Sequence, residues 1–197
     1  MIRVERIVNR IFASNTYVIS ADGSTDVWLV DVGDTENVLN ILPSDSVVRG
    51  VFLTHTHFDH IYGINELYRA FPDIEVFTSE YGKDALYSAK KNFSFYHESP
   101  IVYQGQNLRI IKEGDEITLY PSIKMKVYET PGHCPSCLTY LLDNKLFTGD
   151  SYIPDAKVVS KLPKGNKALA QQSLKRILEL SRNNDIYPGH GEEEIMQ

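Results

Sequence analysis

The stretch "THTHFDHIYG", residues 54–63, places three of the chain's six histidines and one aspartate between Thr54 and His60. It directly follows "VVRGVFL", residues 47–53, an apolar, β-branched run that reads as a buried strand. Residues two apart in an extended segment point the same way, so His55 and His57 leave the strand end on one side, with Asp59 sharing it. A change from strand to helix at this point turns Asp59 and His60 toward a second position. The spacing therefore allows two adjacent cation sites at the end of one strand.

Outward from this loop, the chain alternates strands and helices. The runs "IRVERIV", "SNTYVIS", "DVWLVDVG", "VVRGVFLT" and "IEVFTS" have β composition, most of them closed by Gly, Asp, Asn or Pro. Between them, "DTENVLNIL" and "GINELYRAF" have helical length and apolar spacing, with Asp34 as an expected N-cap. The second half repeats the theme with "EITLYP", "IKMKVYETP", "CLTYLLD" and "KLFTGD", then a helix, then "DIYPGHG". The last helix is expected to bury Ala170, Leu174, Ile177, Leu178 and Ser181, with Asn166 capping it and Asn183 and Asn184 ending it. Two such halves suggest two layered sheets in one domain spanning residues 1–197, of α/β (α+β) class.

The bulk numbers narrow the function. At 197 residues, 42% apolar and 23% charged, the chain is an ordinary globular length and composition, which excludes disorder and fibrous architecture. A formal charge of −6 disfavours a phosphate-backbone partner, so no nucleic acid is expected. "MIRVERIVNR" lacks the apolar stretch of a signal peptide, and no later run reaches the length of a membrane span. No membrane and a cytoplasmic location are the resulting expectations, with oligomeric state left open. Cys134 and Cys137, the sole cysteines, cannot form a disulfide scaffold; their spacing reads as redox chemistry or as two small buried residues. The segment from Tyr81 to Gly114, with "NFSFYHESPIVYQG", either overhangs a pocket or packs its aromatics in the ordinary way.

Three later segments add ligand candidates. "ETPGHCPS" supplies His133, "LFTGDSY" supplies Asp150 and "IYPGHGEE" supplies His190, each after an expected strand and beside Gly or Pro. Neutral imidazole and carboxylate suit zinc, iron or manganese, and a carboxylate can bridge two cations. Asp150 is the natural bridge, whereas His97, isolated in "FYHESP", reads as structural.

In these residues the sequence resembles the metallo-β-lactamase superfamily, whose T/S-H-x-H-x-D-H motif is matched by Thr54 to His60. The resemblance implies a four-layer αββα sandwich with the metals at one edge between two sheets. It implies His55, His57 and His133 at a first metal, Asp59, His60 and His190 at a second, and Asp150 between them. Asp150 with "TPGH", "TGD" and "PGHG" is similar to the hydroxyacylglutathione hydrolase (glyoxalase II) branch. Two features depart from that branch. Its members carry a C-terminal helical domain that contributes to glutathione binding, whereas this sequence ends at Gln197, and "GHCPSC" stands where His is commonly followed by Thr, Pro and Gly.

Two dications lower the pKa of a shared water, so that hydroxide is available near neutral pH, and polarise a carbonyl. The leading expectation is a dinuclear hydrolase of a small thioester, ester or lactone, glyoxalase-II-like, with two divalent ions, zinc first and iron or manganese as alternatives. Asp59 both ligates and orients the hydroxide. Asp31, in "LVDVGD", either holds a ligand imidazole from behind or serves a turn. Tyr152 is either a substrate contact or core. Lys161 and Lys164, within "DAKVVSKLPKGNK", either draw an anionic substrate or are simply solvated. The rival reading is a mononuclear iron persulfide dioxygenase of the same superfamily; a nuclease and a non-catalytic metal-binding module rank lower.

Overall fold

A computed structural model describes residues 1–195. The first sheet runs β1 (Ile2–Val8), β2 (Asn15–Ala21), β3 (Asp26–Val30), β4 (Val47–Phe52), β5 (Glu75–Thr78) and β6 (Leu108–Ile110), in that spatial order. Pairing is antiparallel from β1 to β3 and parallel from β3 to β6. The parallel part requires crossovers, and these are α1 (Thr35–Ile41), then α2 (Phe58–Ile61) with α3 (Ile64–Ala70), then α4 (Glu80–Leu86). The second sheet has the order β11-β10-β9-β8-β7, built from β7 (Glu116–Tyr120), β8 (Ile123–Glu129), β9 (Leu138–Leu142), β10 (Lys145–Gly149) and β11 (Asp185–Pro188). Its single parallel pair, β10 with β11, is joined through α5 (Lys167–Leu180).

Strand alternation explains the layering. Along β3, Trp28 and Val30 enter a cluster with Met125, Val127, Tyr140 and Phe147 of the second sheet, while Val27 and Leu29 join Val38, Ile61, Ile64 and Leu67 of the helices. Phe52 of β4 lies between sheets, stacked on Phe77 with ring centroids 4.3 Å apart, while Val51 and Leu53 face the helices. The result is the expected αββα sandwich, with α5 on the outer face of the second sheet.

Three local differences from the sequence reading have clear causes. Strand β6 carries no alternating signal, because none of its three residues is fully buried. Asp34 stands at the start of α1 without capping it, since its carboxylate accepts instead from the backbone N–H and Nε of Arg10. Helix α5 buries Ala170, Ser173 and Ile177, leaving Leu178 45% exposed, so its face is rotated from the expected one. The Ser173 hydroxyl donates to the Pro131 carbonyl at 2.7 Å, and a Cβ on Gly132 would lie 2.2 Å from the Ala170 backbone nitrogen. Helix and loop therefore approach at a distance only glycine permits. The expected Asn166 cap is present, its side chain accepting from the Leu169 N–H at 3.1 Å.

Among the described residues, no helix is long and apolar enough to cross a membrane.

Candidate metal centre

Strand direction brings the polar residues to one rim. The segments leaving β3, β4, β10 and β11 carry Asp31, then His55 and His57, then Asp150, then His190. Cross-links between these segments fix their relative height: the Leu138 N–H donates to the Thr54 carbonyl at 2.7 Å, and the Gly189 N–H to the Gly149 carbonyl at 3.0 Å. His133 arrives on the β8–β9 loop beside α5, and Asp59 and His60 on α2.

The seven residues form two abutting groups. Among the described residues, His55, His57 and His133 can direct ligand atoms to one point, and Asp59, His60 and His190 to another. Asp150 lies between them: its Oδ2 is 3.5 Å from His133 Nε2 and 3.9 Å from His55 Nε2. Its Oδ1 is 3.4 Å from both His60 Nε2 and His190 Nε2. Asp59 Oδ2 completes the second group at 3.4 Å from His60 Nε2 and 3.3 Å from His190 Nε2. A third grouping, Asp31 with His55 and His60, is better described as a hydrogen-bond network, since both Asp31 oxygens are already engaged.

Each of four imidazoles has its remaining nitrogen beside an oxygen. Asp31 Oδ2 lies 2.9 Å from His60 Nδ1, Thr54 Oγ1 3.1 Å from His55 Nδ1, the Val159 carbonyl 2.7 Å from His133 Nδ1, and the Phe12 carbonyl 3.0 Å from His190 Nδ1. Such outer contacts select the tautomer and ring orientation a metal ligand needs. Asp31 also accepts from the Thr54 backbone N–H at 2.7 Å and its hydroxyl at 2.6 Å, which anchors the ligand loop to β3. The Ser14 hydroxyl donates to the Asp59 carbonyl at 2.7 Å.

Charge at the rim is unbalanced in the direction a cation would correct. Burial works against the charged forms of Asp59 and Asp150, yet the nearby imidazoles, His60 foremost, outweigh it and hold both carboxyls below the usual range. His55 and His133 are pushed down mainly by burial, toward the neutral form a metal requires. His190 is raised to about 9, because Asp150 and Asp59 outweigh its burial. His55 Nε2 and Asp150 Oδ1 are buried with no hydrogen-bond partner, although polar atoms in such surroundings are ordinarily satisfied. A donor set of imidazoles and carboxylates with two orphaned atoms aimed inward fits divalent cations.

The remaining sequence candidates are placed differently. Tyr152 directs its hydroxyl to Glu194 Oε2 at 3.3 Å and shares a cavity of about 350 Å³ with His190, Asp155 and Glu192, so it borders the second group without touching it. Lys161 and Lys164 are exposed on the loop that carries Val159. Cys134 and Cys137 are free and buried, their sulfurs 3.2 Å apart. Ser136 Oγ lies 3.1 Å from both Cys134 Sγ and Thr56 Oγ1, linking the His133 loop to the His55–His57 loop. Residues 93–97 cover this loop: the Phe93 ring sits 4.8 Å from His57, and His97 stacks on Phe58 at 4.0 Å. Phe12, Phe93, Ser136 and Val159 carry no ligand chemistry in the sequence, and only the folded chain brings them to the rim.

Known structures share this architecture. A crystal structure of the B3 metallo-beta-lactamase BLEG-1 superposes with a TM-score of 0.88 at 24% identity, covering 97% of this chain and 93% of the other. TTHA1623 in a di-iron-bound form gives a TM-score of 0.81 at 24% identity, over 96% and 93% of the two chains. The hydroxyacylglutathione hydrolase of Photobacterium profundum is 30% identical over 163 residues, which are 82% of this chain and 56% of that relative. The chain thus spans little more than half of that protein's length. The family model of the metallo-beta-lactamase superfamily matches residues 9–190, nearly the whole sequence. This chain belongs to the metallo-beta-lactamase superfamily.

Proposed function

We propose that the chain is a dinuclear metal-dependent hydrolase of a small thioester, ester or lactone, with a glyoxalase-II-like thioester reaction the most specific form of that reading. The observation that carries it is Asp150, whose two oxygens face two different histidine groups, Oδ2 toward His55 and His133 and Oδ1 toward His60 and His190. His55, His57 and His133 would hold one divalent ion and Asp59, His60 and His190 the other, zinc most readily, with iron or manganese as alternatives. When bound, such ions supply an activated water near neutral pH and polarise a carbonyl.

The chain's own residues supply position and charge. Asp59, kept ionised, offers Oδ2 as acceptor for a proton from water entering the rim. Asp31 fixes the His60 ring and, through Thr54, the start of the ligand loop. No Ser–His or Cys–His nucleophile is needed in this scheme. The similarity to hydroxyacylglutathione hydrolases supports thioesters ahead of esters and lactones.

The test is hydrolysis of a panel containing a glutathione thioester, simple thioesters, aryl esters and lactones by zinc-, iron- and manganese-loaded protein, beside Asp150→Asn. Turnover that falls at least about a hundredfold in the variant is expected, as for loss of a central charge-stabilising group. No turnover of any member, together with oxygen uptake on a persulfide, would overturn the hydrolase reading.

A further inference from the structure

The loop that carries His133 also carries a pair of thiols that the metal centre does not use. Cys134 and Cys137, the sole cysteines, are free and buried, with their sulfurs 3.2 Å apart. They stand at the two ends of a tight turn through Pro135 and Ser136. Such a turn brings its end Cα atoms within about 7 Å, and a disulfide spans about 4.4–6.8 Å. Since the sequence has no third cysteine, any bridge within the chain joins these two.

The loop is unevenly held. Cys137 is anchored: its carbonyl accepts from the Thr130 N–H at 3.1 Å, and the next residue, Leu138, donates its N–H to the Thr54 carbonyl at 2.7 Å. The stretch before His133 is fixed as well. The Pro131 carbonyl accepts from the Ser173 hydroxyl, the Gly132 carbonyl accepts from the Asn166 N–H at 2.8 Å, and Gly132 lies against Ala170. Between these anchors, Cys134 is held by a sulfur contact with Ser136 Oγ at 3.1 Å and by a 3.3 Å bond from the Gly132 N–H to its carbonyl. When the sulfurs close by roughly 1 Å to bonding distance, Cys134 is therefore the partner that moves. His133 directly precedes it. A shift there draws the imidazole away from the Val159 carbonyl, 2.7 Å from Nδ1, and from His57, whose Nδ1 lies 2.8 Å from His133 Nε2.

We propose that Cys134 and Cys137 are a reversible oxidation site, at which hydrogen peroxide converts the dithiol to a disulfide, and that the bridge displaces His133 and weakens the first metal position. The coupling to metal rests on the metal-centre reading above, whereas the disulfide itself does not. One sulfur is oxidised to a sulfenic acid as the peroxide O–O bond breaks and water leaves; the second thiol then attacks that sulfur, the S–S bond forms and a second water leaves. The two thiols thus give up two electrons and two protons to one peroxide. Burial of both sulfurs favours so small an oxidant over a bulky disulfide.

The test treats reduced, metal-free protein with hydrogen peroxide and counts alkylatable thiols after acid quenching and denaturation, beside the intact mass. Both thiols are expected to disappear, with loss of the mass of two hydrogen atoms per chain, and to return on treatment with a phosphine. Zinc affinity, measured by competition with a chromophoric chelator after both reagents are removed, is expected to be at least about fivefold weaker in the disulfide form and to recover on reduction. Methionine sulfoxide needs its own reductases, so recovery with a phosphine assigns the effect to the pair. The double variant Cys134→Ser/Cys137→Ser should show no response of zinc affinity to peroxide; if it does not fold, the reversible cycle of the unmodified chain decides alone.

Retention of both thiols, or a bridge between chains in place of one within the chain, overturns the oxidation site and leaves the hydrolase reading untouched. A disulfide that forms with zinc affinity unchanged overturns the coupling to His133. Zinc binding absent from both forms would overturn the metal-centre reading and the coupling with it, while the disulfide stands.

Discussion

Asp31 holds His60 from behind: its Oδ2 lies 2.9 Å from His60 Nδ1, opposite the nitrogen that faces Asp150 and His190. Both residues are almost wholly buried, so the contact is shielded from water. Asp31→Asn keeps a side chain tolerant of the left-handed φ of 56° at this position while removing the charge. Metal affinity, measured by competition with a chromophoric chelator, is expected to fall roughly 10–100-fold, with the chain still folded. Unchanged affinity would mean that Asp31 serves only the turn.

Gly189 sets how closely the β11 loop approaches the bridging carboxylate. A Cβ there would lie 2.3 Å from Asp150 Oδ1 and 2.8 Å from the Gly149 carbonyl carbon. Gly189→Ala must displace Asp150 or the backbone, an overpacking that costs about 1–3 kcal/mol. Reduced metal content and a lower melting temperature of the metal-free protein are expected together; full metal occupancy would show that the loop yields without disturbing Asp150.

His190 gives the metal-free protein a particular pH response. Its pKa is about 9 against an ordinary 6.5, since Asp150 and Asp59 outweigh burial. A raised imidazole pKa contributes stability that is fully present below about pH 6.5 and is lost as pH rises through about 9. Metal binding must displace that proton, so metal affinity should climb across the same window. Melting curves of metal-free and zinc-loaded protein between about pH 6 and pH 9 are expected to diverge, the metal-free form losing stability and the gap widening. Parallel curves would contradict the assignment.

Phe52 joins the site to the core. It is fully buried, stacked on Phe77 and edge-on to Tyr140 at 5.4 Å, and Tyr140 donates its hydroxyl to the carbonyl of Leu53, just before the ligand loop. Phe52→Ala should cost about 3–5 kcal/mol by denaturant titration, the range for emptying a buried aromatic position. A loss below about 1 kcal/mol would show that the two sheets close over the space.

The seven ligand candidates stand out in the sequence because four crowd one short motif, residues 54–60, and the other three lie beside Gly or Pro in segments that follow expected strands. The apolar runs of β3 and β4 mark strands covered on both faces, so their burial is legible while the division of their residues between the two layers is seen only in the fold. The rotation of α5 was not legible, since it depends on Ser173 reaching the Pro131 carbonyl and on Gly132 admitting Ala170. Asp34 was misread because its partner, Arg10, lies on a different loop. The carbonyls of Phe12 and Val159 leave no trace in residue type, because any residue offers a carbonyl. Legibility ended where contacts are long-range and made by the backbone.

The most direct measurement is the number of metal ions each chain binds, by titrating zinc, iron or manganese into metal-free protein and determining bound metal by elemental mass spectrometry. About two ions per chain are expected, falling to at most one in Asp150→Asn, because Asp150 faces both histidine groups. A plateau at a single iron, unchanged in that variant, or no retained metal at all, would contradict the dinuclear centre.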